Sequence, residues 1–216
     1  MGGWAGVNSP LAGAERIESK NVMFISEIIT AYGMAKAKTG RFYLTETITI
    51  PAASASGTRI QGSIDLGSLT NVPTGQVIAV HGVDYIFQSG TGFSQEFEGM
   101  LQSNGAITVQ VTDLNPATAF IRADDQSLIS SGALNIDFAN NVGTTAADFY
   151  PDNMGPSKNQ SDFMVVNDQL FVVAGNNGAI VNAANDVLVT ARLLVSVVKL
   201  SQADWSAIAL RSVSSD

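Results

Sequence analysis

The stretch VLVTARLLVSVVKL, residues 187–200, decides the fold predicted for this chain. Its odd positions from Val187 to Val197 are all apolar, and most of them are β-branched. Alternation of this kind over so long a stretch indicates a β-strand with one face fully buried in a core. We therefore expect this strand to be the centre of a sheet that the rest of the chain covers.

A short helix is predicted directly after that strand. Ser201 is a suitable N-cap, and Asp204 follows three residues later as its partner in a capping box. Leu200 and Trp205 occupy the two positions of a hydrophobic staple, and Ile208 continues one apolar stripe. The sequence thus predicts a helix folded back against the end of the strand.

Seven further strands are expected upstream, and no helical pattern separates them. This excludes parallel βαβ folds, and the long loops argue against a simple up-and-down arrangement. The predicted fold is an all-β, eight-stranded antiparallel sandwich. The seven segments are 42–50, 60–66, 77–87, 107–111, 120–121, 128–138 with a break at Gly132, and 163–173 with a split near residues 167–168, with a long loop at 140–160.

The N-terminal part of the chain reads differently. Residues 1–14 are rich in Gly and Ala and predict an extended arm, whose apolar side chains are expected to dock on a partner. An amphipathic helix is predicted between residues 15 and 37. The domains expected are therefore 1–40, 41–200 and 201–216. The arm residues are Trp4, Val7 and Leu11, and the helix-packing residues are Ile17, Phe24, Ile28 and Tyr32.

The chain carries little charge for its size. Only 14% of its residues are charged, against 45% hydrophobic, so part of the surface is expected either to face other protein or to be an exposed Thr/Ser/Asn-rich sheet. A net charge of −8 argues against broad nucleic-acid binding. The basic group Lys36, Lys38 and Arg41 fits a solvated strand edge better than an anion site. No apolar run approaches the ~18 residues of a membrane-spanning helix.

His81 is the single histidine and lies in the predicted strand 77–87. Strict alternation places it on one face with Val77, Ala79, Val83 and Phe87. It has no companion at the spacing of a metal site or of a nucleophile–base pair. We expect a histidine that is hydrogen-bonded within the sheet.

Three groups of acidic residues are candidate metal ligands or catalytic pairs. Asp124 and Asp125, and the group around Asp148 and Asp152, offer oxygen ligands for Ca²⁺ but lack the spacing of a known calcium loop, and turn capping explains them. Glu96 and Glu98 have the separation of residues on one strand face, and solvated carboxylates are the better interpretation than a glycosidase pair. The sequence predicts no catalytic, cofactor or metal site.

Phe93 and Phe97 follow a glycine-rich turn at residues 90–92. The turn lacks the Gly-Lys-Ser/Thr of a phosphate loop, so phosphate binding is not expected there. The two rings either form an exposed aromatic pair or anchor the loop in the core.

Three segments carry a resemblance: RFYLTETITIP at 41–51, QVIAVHGVDYIF at 76–87 and VLVTARLLVSVVKLSQADWSAIAL at 187–210. With the eight strands, the N-terminal arm and helix and the low-charge surface, they resemble the single jelly-roll capsid proteins of tailless icosahedral viruses of archaea and bacteria. The resemblance implies strands lettered B to I in two four-stranded sheets. It also implies self-assembly without catalysis or cofactors, and a place in the virion.

The resemblance names partners as well. It implies copies of this chain, and it leaves open a second coat protein and contact with an internal viral membrane. Many capsid proteins of RNA viruses have a strongly basic arm, whereas residues 1–41 hold five basic against three acidic residues. Strong nucleic-acid binding is therefore not expected.

Two alternatives remain from the residues alone. A filament or surface-layer subunit would share the sandwich and donate its N-terminal segment as a strand to a neighbour. The helical spacing from Ile17 onward argues against this, since a donated strand alternates. A carbohydrate-binding sandwich would need exposed aromatic side chains, and the chain has only two Trp and four Tyr.

Overall fold

Two antiparallel β-sheets make up the computed structural model, which describes residues 36–147 and 163–213. A twelve-residue helix, α1 (Gln202–Val213), follows the last strand. The first sheet contains β1 (Lys36–Ala37), β2 (Phe42–Ile50), β4 (Gln76–Ser89), β8 (Phe163–Val165) and β10 (Val187–Lys199). The second contains β3 (Arg59–Asp65), β5 (Gly105–Thr112), β6 (Leu128–Asp137), β7 (Val142–Ala147) and β9 (Gln169–Asn177).

The predicted strand 187–200 is β10, at the centre of the first sheet. One side of β10 pairs with β4 along its whole length, and the other pairs with β2 and then β1. Its odd residues from Val187 to Val197 are buried against the second sheet. The alternation in the sequence predicted this face correctly.

The order of the strands is that of a jelly roll. Leaving aside β1 and β7, the eight remaining strands can be lettered B to I in chain order. The first sheet then reads B-I-D-G and the second C-H-E-F, so each sheet mixes strands from both halves of the chain. The prediction of an all-β antiparallel sandwich is confirmed.

A β-bulge at His81 interrupts the strict alternation that was predicted for β4. Val80 pairs with Val195 and Gly82 with Leu194, so His81 is an extra residue without a register partner. The bulge reverses the side-chain alternation. Val77 and Ala79 therefore lie on the outer face, whereas Val83 and Phe87 pack in the core between the sheets.

Three predicted strand features are wrong. Residues 120–121 lie in a loop, and β6 runs through Gly132 without a break. Part of the expected loop at 140–160 is strand β7, which forms a hairpin with β6. Sequence alternation is a poor guide here because short apolar pairs and small residues occur in strands and loops alike.

The split expected near residues 167–168 in the segment 163–173 is confirmed, and its two parts, β8 and β9, belong to different sheets. One other boundary differs, because residues 36–37, expected at the end of a helix, form β1. The arm residues Trp4, Val7 and Leu11, the helix residues Ile17, Phe24, Ile28 and Tyr32, and the Asp148 and Asp152 group lie outside the described residues.

Two apolar clusters hold the described part of the chain together. The larger fills the space between the sheets, and it includes Met100 and Leu101 from the loop after β4. The smaller lies on the outer face of the first sheet, where α1 covers Val77, Ala79 and Val198. No helix of the described residues is long and apolar enough to cross a membrane.

Candidate assembly surface

Four loops meet at one end of the sandwich, and we call this surface the loop end. It comprises residues 51–58, 90–104, 138–141 and 178–186. Its position follows from the register, since Ile50 and Ser89 both lie opposite Val187 in the first sheet. In the second sheet, Gly105 lies opposite Ile136, and its neighbour Ala106 lies opposite Asn177.

Backbone hydrogen bonds fasten these loops to one another. The Ala53 N–H donates to the Asn182 carbonyl at 3.1 Å, and the Val181 N–H donates to the Ser54 carbonyl at 3.0 Å. The Asn182 N–H donates to the Met100 carbonyl at 3.0 Å. Three different loops are thereby joined into one platform.

Asn176, at the end of β9, adds a side-chain clamp. It is fully buried, and its Nδ2 donates to the carbonyls of Ser54, Ala55 and Ala179 at 3.3, 3.0 and 2.7 Å. Buried amides of this kind fix the backbone that they bind, because releasing them leaves several carbonyls without a donor. Asn176 therefore ties the loops 51–58 and 178–186 to the end of β9.

Large apolar side chains stand exposed on this fixed platform. Phe93 is 60% exposed, and Phe138, Val142 and Ile180 are each about half exposed. Four of the seven exposed large hydrophobic residues of the described chain thus belong to the loop end or its border. Exposed apolar groups gathered at one place mark interaction surfaces more often than scattered ones do.

The two phenylalanines of the loop after β4 have different roles. Phe97 packs against the core, whereas Phe93 projects into solvent from a turn in which its φ is +53°. The turn is held by Gln88, whose Nε2 donates to the Phe93 carbonyl at 2.8 Å. Neither alternative holds for both rings, because Phe97 anchors the loop in the core and Phe93 is exposed.

The charge of the loop end is of one sign. Its four loops contain Glu96, Glu98 and Asp186, and they contain no Lys or Arg. Asp186 accepts the Ala52 N–H at 2.8 Å, while Glu96 and Glu98 lie exposed at either side of Phe97. At the adjoining turn, hydrogen bonds from Asn140 hold the pKa of Asp137 below its usual value.

A groove of about 630 Å³ lies at the opposite end of the first sheet, and we call it the tail groove. Val72, Leu200 and Trp205 supply apolar lining, and Lys199 stands on its rim. The buried indole N–H of Trp205 has no hydrogen-bond acceptor within the part of the chain that the structure describes. Lys38 is close by, because its Nζ donates to Gln76 Oε1 at 2.7 Å and Gln76 lies opposite Lys199.

The residues predicted as a C-terminal staple border this groove. The Asp204 N–H donates to Ser201 Oγ at 3.2 Å, and the Ser201 hydroxyl donates to the Asp204 carboxylate at 2.6 Å. Leu200 and Trp205 belong to the same apolar cluster. The carboxylate of Asp204 thus bonds the Ser201 hydroxyl, the group that caps the helix.

The outer face of the second sheet is covered by the loop 113–127. Gln110 holds this loop with both ends of its amide, which donate to the Ile121 carbonyl at 3.0 Å and accept the Ile121 N–H at 2.8 Å. The guanidinium of Arg59 stacks on Phe120 at 4.5 Å. A shallow groove of about 280 Å³ remains beside Phe120.

The other candidate residues have local roles. The ring Nε2 of His81 is 2.8 Å from Ser196 Oγ, within the sheet. Asp125 accepts from the N–H and the hydroxyl of Ser127, and Asp124 pairs with Arg122 at the surface. Across residues 36–147 and 163–213, no group of three His, Cys, Asp or Glu side chains is arranged to hold a metal ion.

Glu46 is unusual among the carboxylates because it points between the sheets. Its register partner Ala191 faces the core, and the carboxylate of Glu46 lies against Gly62 of β3. Partial burial raises the pKa of Glu46 above its usual value. An inward-pointing charge on an edge strand is one device by which proteins discourage further strand pairing.

The loop end was not predicted from the sequence. Its residues come from four segments that are far apart in the chain, so no local pattern joins them. The available signal is modest: Phe138 and Ile180 are large apolar residues in segments that are otherwise rich in Gly, Ala and Asn.

Comparison with known proteins gives little at the sequence level. No protein-family model and no curated protein matches the chain. Among solved structures, one from Desmodium yellow mottle tymovirus is similar over 76% of this chain and 91% of its own, at 9% identity and a TM-score of 0.26. A score this low carries no argument, and the fold assignment rests on the sheet order.

Proposed function

We propose that this chain is a structural subunit that assembles with copies of itself into a protein shell. The observation that carries the proposal is the loop end, a platform clamped by Asn176 that presents Phe93, Phe138 and Ile180 to solvent. A fixed apolar surface binds with a small entropic penalty, because its loops are ordered before a partner arrives. The role proposed is structural rather than catalytic.

The finer proposal is a viral capsid protein of an icosahedral virion. The jelly-roll sheet order and the resemblance of the segments 41–51, 76–87 and 187–210 support it. The low proportion of charged residues, 14%, fits a surface that faces other protein. A second coat protein and an internal membrane belong to the proposal as further partners.

Light scattering and electron microscopy of the purified chain test this function. Closed shells or capsomer-sized rings are expected, with mass that rises with protein concentration. The double variant Phe138→Ser/Ile180→Ser should shift assembly to higher concentration, since it removes two exposed apolar groups from the loop end. Leu210→Ser is the matched control, because Leu210 is 71% exposed on α1, away from the loop end. A monomer at every concentration and ionic strength would overturn the proposal.

A filament subunit is the second candidate, favoured by one observation. Strand β2 pairs with β10 on one side, and among the described strands none pairs with its other side over its nine residues. A strand from another copy fits such an edge. Glu46, which points inward from the middle of β2, opposes this addition, so we rank the filament second. Helical fibres in the microscope would reverse that order.

A further inference from the structure

We propose that the loop end of one copy docks head to tail in the tail groove of a second copy, with Phe93 as the inserted side chain. This inference rests on the proposed assembly and names the two surfaces that make one of its contacts. The two surfaces are complementary: one has an apolar projection beside acidic residues, and the other has a groove with both apolar and polar walls and two lysines beside it.

Phe93 is a fixed projection rather than a mobile one. The Phe93 N–H donates to the Gly90 carbonyl at 3.4 Å, and the Ser89 N–H donates to the Ser94 carbonyl at 2.7 Å. With Gln88 on the Phe93 carbonyl, these bonds fix the turn from which the ring extends. A ring held outward at 60% exposure loses little freedom when a pocket receives it.

The tail groove has the size and lining to receive such a ring. Its volume of about 630 Å³ exceeds that of a phenyl group, and Val72, Leu200 and Trp205 give it apolar walls. Val72 is itself more than half exposed, so the groove is uncovered there by the rest of the described chain.

The charges of the two surfaces favour a second copy of this chain as the occupant of the tail groove. Glu96 and Glu98 follow Phe93 within five residues, and they are exposed. Lys38 and Lys199 are exposed at the groove, and with the carboxylate of Asp204, which bonds the lining residue Ser201, two basic groups stand there against one acidic group. Complementary patches of this kind orient a contact and suppress wrong pairings. The acidic loop ends of two copies would repel each other, which disfavours a like-with-like contact.

The contact must join different copies. Phe93 follows the end of β4 and Val72 precedes its start, and a strand of 14 residues is roughly 40 Å long. One molecule therefore cannot insert its own Phe93 into its own groove. Head-to-tail contacts between identical subunits produce rings when the rotation closes and filaments when it does not.

Charge reversal tests the contact. Glu96→Lys/Glu98→Lys and, separately, Lys38→Glu/Lys199→Glu should each raise the protein concentration needed for assembly at least tenfold, as measured by light scattering at low salt. The fourfold variant that carries both reversals should restore assembly to within a few-fold of the wild type, since each contact again joins opposite charges. Asp124→Lys/Asp168→Lys is the matched control: it makes the same charge change as the first variant on exposed residues that belong neither to the loop end nor to the lining of the tail groove, and it should assemble like the wild type.

Each result separates this inference from the function on which it rests. If the wild type assembles and the reversals have no effect, or the fourfold variant stays as defective as its parents, the contact is wrong while the shell function stands. If the wild type never assembles, both are wrong.

Engineered cysteines give an independent measurement, because the chain has none of its own. Mild oxidation of Phe93→Cys/Val72→Cys should give covalent dimers and higher multimers on a denaturing gel. The control Phe93→Cys/Ala119→Cys, with its second thiol on the loop that covers the second sheet, should remain monomeric. Equal multimer formation by both pairs would contradict the proposed contact.

Discussion

Gly132 shows how one residue is fixed by a neighbour on the opposite sheet. A Cβ at this position would lie 2.5 Å from Cδ2 of the Tyr85 ring, so only glycine allows the ring to pack there. Gly132→Ala is expected to destabilise the fold by about 1–3 kcal/mol, through a displaced ring or strand. Urea unfolding measures this change.

The control for that variant lies in β4. A Cβ at Gly82 would meet no atom within 4 Å, so Gly82→Ala should be neutral or slightly stabilising. If the two variants were equally stable, close packing of Tyr85 on Gly132 would not be what requires the glycine.

The raised pKa of Glu46 predicts that the stability of the fold depends on pH. Burial raises its pKa, so the folded state binds this proton more tightly than the unfolded state does. The charged form therefore destabilises the fold at neutral pH, and this effect disappears as the pH falls below the ordinary glutamate value of about 4.3. Glu46→Gln should be more stable than the wild type at pH 7, by less than about 1 kcal/mol because the side chain is still largely hydrated.

Thermal unfolding of both proteins from pH 7 to pH 4 tests this prediction. The difference between them should shrink as the pH falls, and the exposed control Glu98→Gln should show no such trend. An advantage for Glu46→Gln that grew with acidity would contradict the sign of the effect.

Residues such as Gly132 limit what can be predicted from the sequence alone. The expected strand break at Gly132 was wrong because the reason for a glycine there is a ring on another strand. The buried face of β10 was predicted correctly because alternation within one strand contains that information.

At the scale of single elements, His81 makes a side-chain contact and also forms the bulge in β4, and two variants separate these roles. His81→Ala removes the hydrogen bond to Ser196 and should destabilise the protein by about 1 kcal/mol. Deleting His81 would instead remove the bulge, because Val80 and Gly82 become neighbours that keep their partners Val195 and Leu194, and Val83 and Phe87 stay in the core. The deletion variant should therefore keep a cooperative unfolding transition, as measured by circular dichroism. Loss of that transition would show that the fold requires the bulge itself.

Helix α1 illustrates an element that can be predicted from local sequence. Ser201→Ala removes the acceptor of the Asp204 N–H and should lower the free energy of unfolding by about 1 kcal/mol. The change in tryptophan fluorescence on unfolding should then occur at a lower urea concentration. Ser206→Ala, which removes a hydroxyl bound to the Gln202 carbonyl one turn behind, is the control and should have a smaller effect. The loop at 120–121 could not be predicted in this way, because the hydrogen bonds that hold it come from Gln110 on a neighbouring strand.

For the whole molecule, the interleaving of strands makes β10 indispensable to the first sheet. A chain that ends at Asp186 lacks the strand between β2 and β4, so it should show no cooperative unfolding in urea. A chain that ends at Leu200 keeps β10 and loses only α1. It should remain folded but lose roughly 2–4 kcal/mol, because Val77, Ala79 and Val198 become exposed.

The sequence was enough to predict the fold class, but it was not enough to predict the candidate assembly surface. Strand patterns without intervening helices were enough to predict the antiparallel sandwich. The loop end, by contrast, exists only because the jelly-roll order brings residues near positions 54, 93, 138 and 180 to one end. Long-range topology is the information that a single sequence does not display.

The position of β10 also constrains how the protein is made. During synthesis β2 and β4 leave the ribosome long before β10, yet each depends on it as a hydrogen-bonding neighbour. The first sheet therefore cannot close on a nascent chain whose residues 187–199 are still in the exit tunnel. Chains cut short by early termination are left with open edges for chaperones and proteases to recognise. Translation itself thus acts as a checkpoint, since the first sheet can close only after β10 has been synthesised and has left the ribosome.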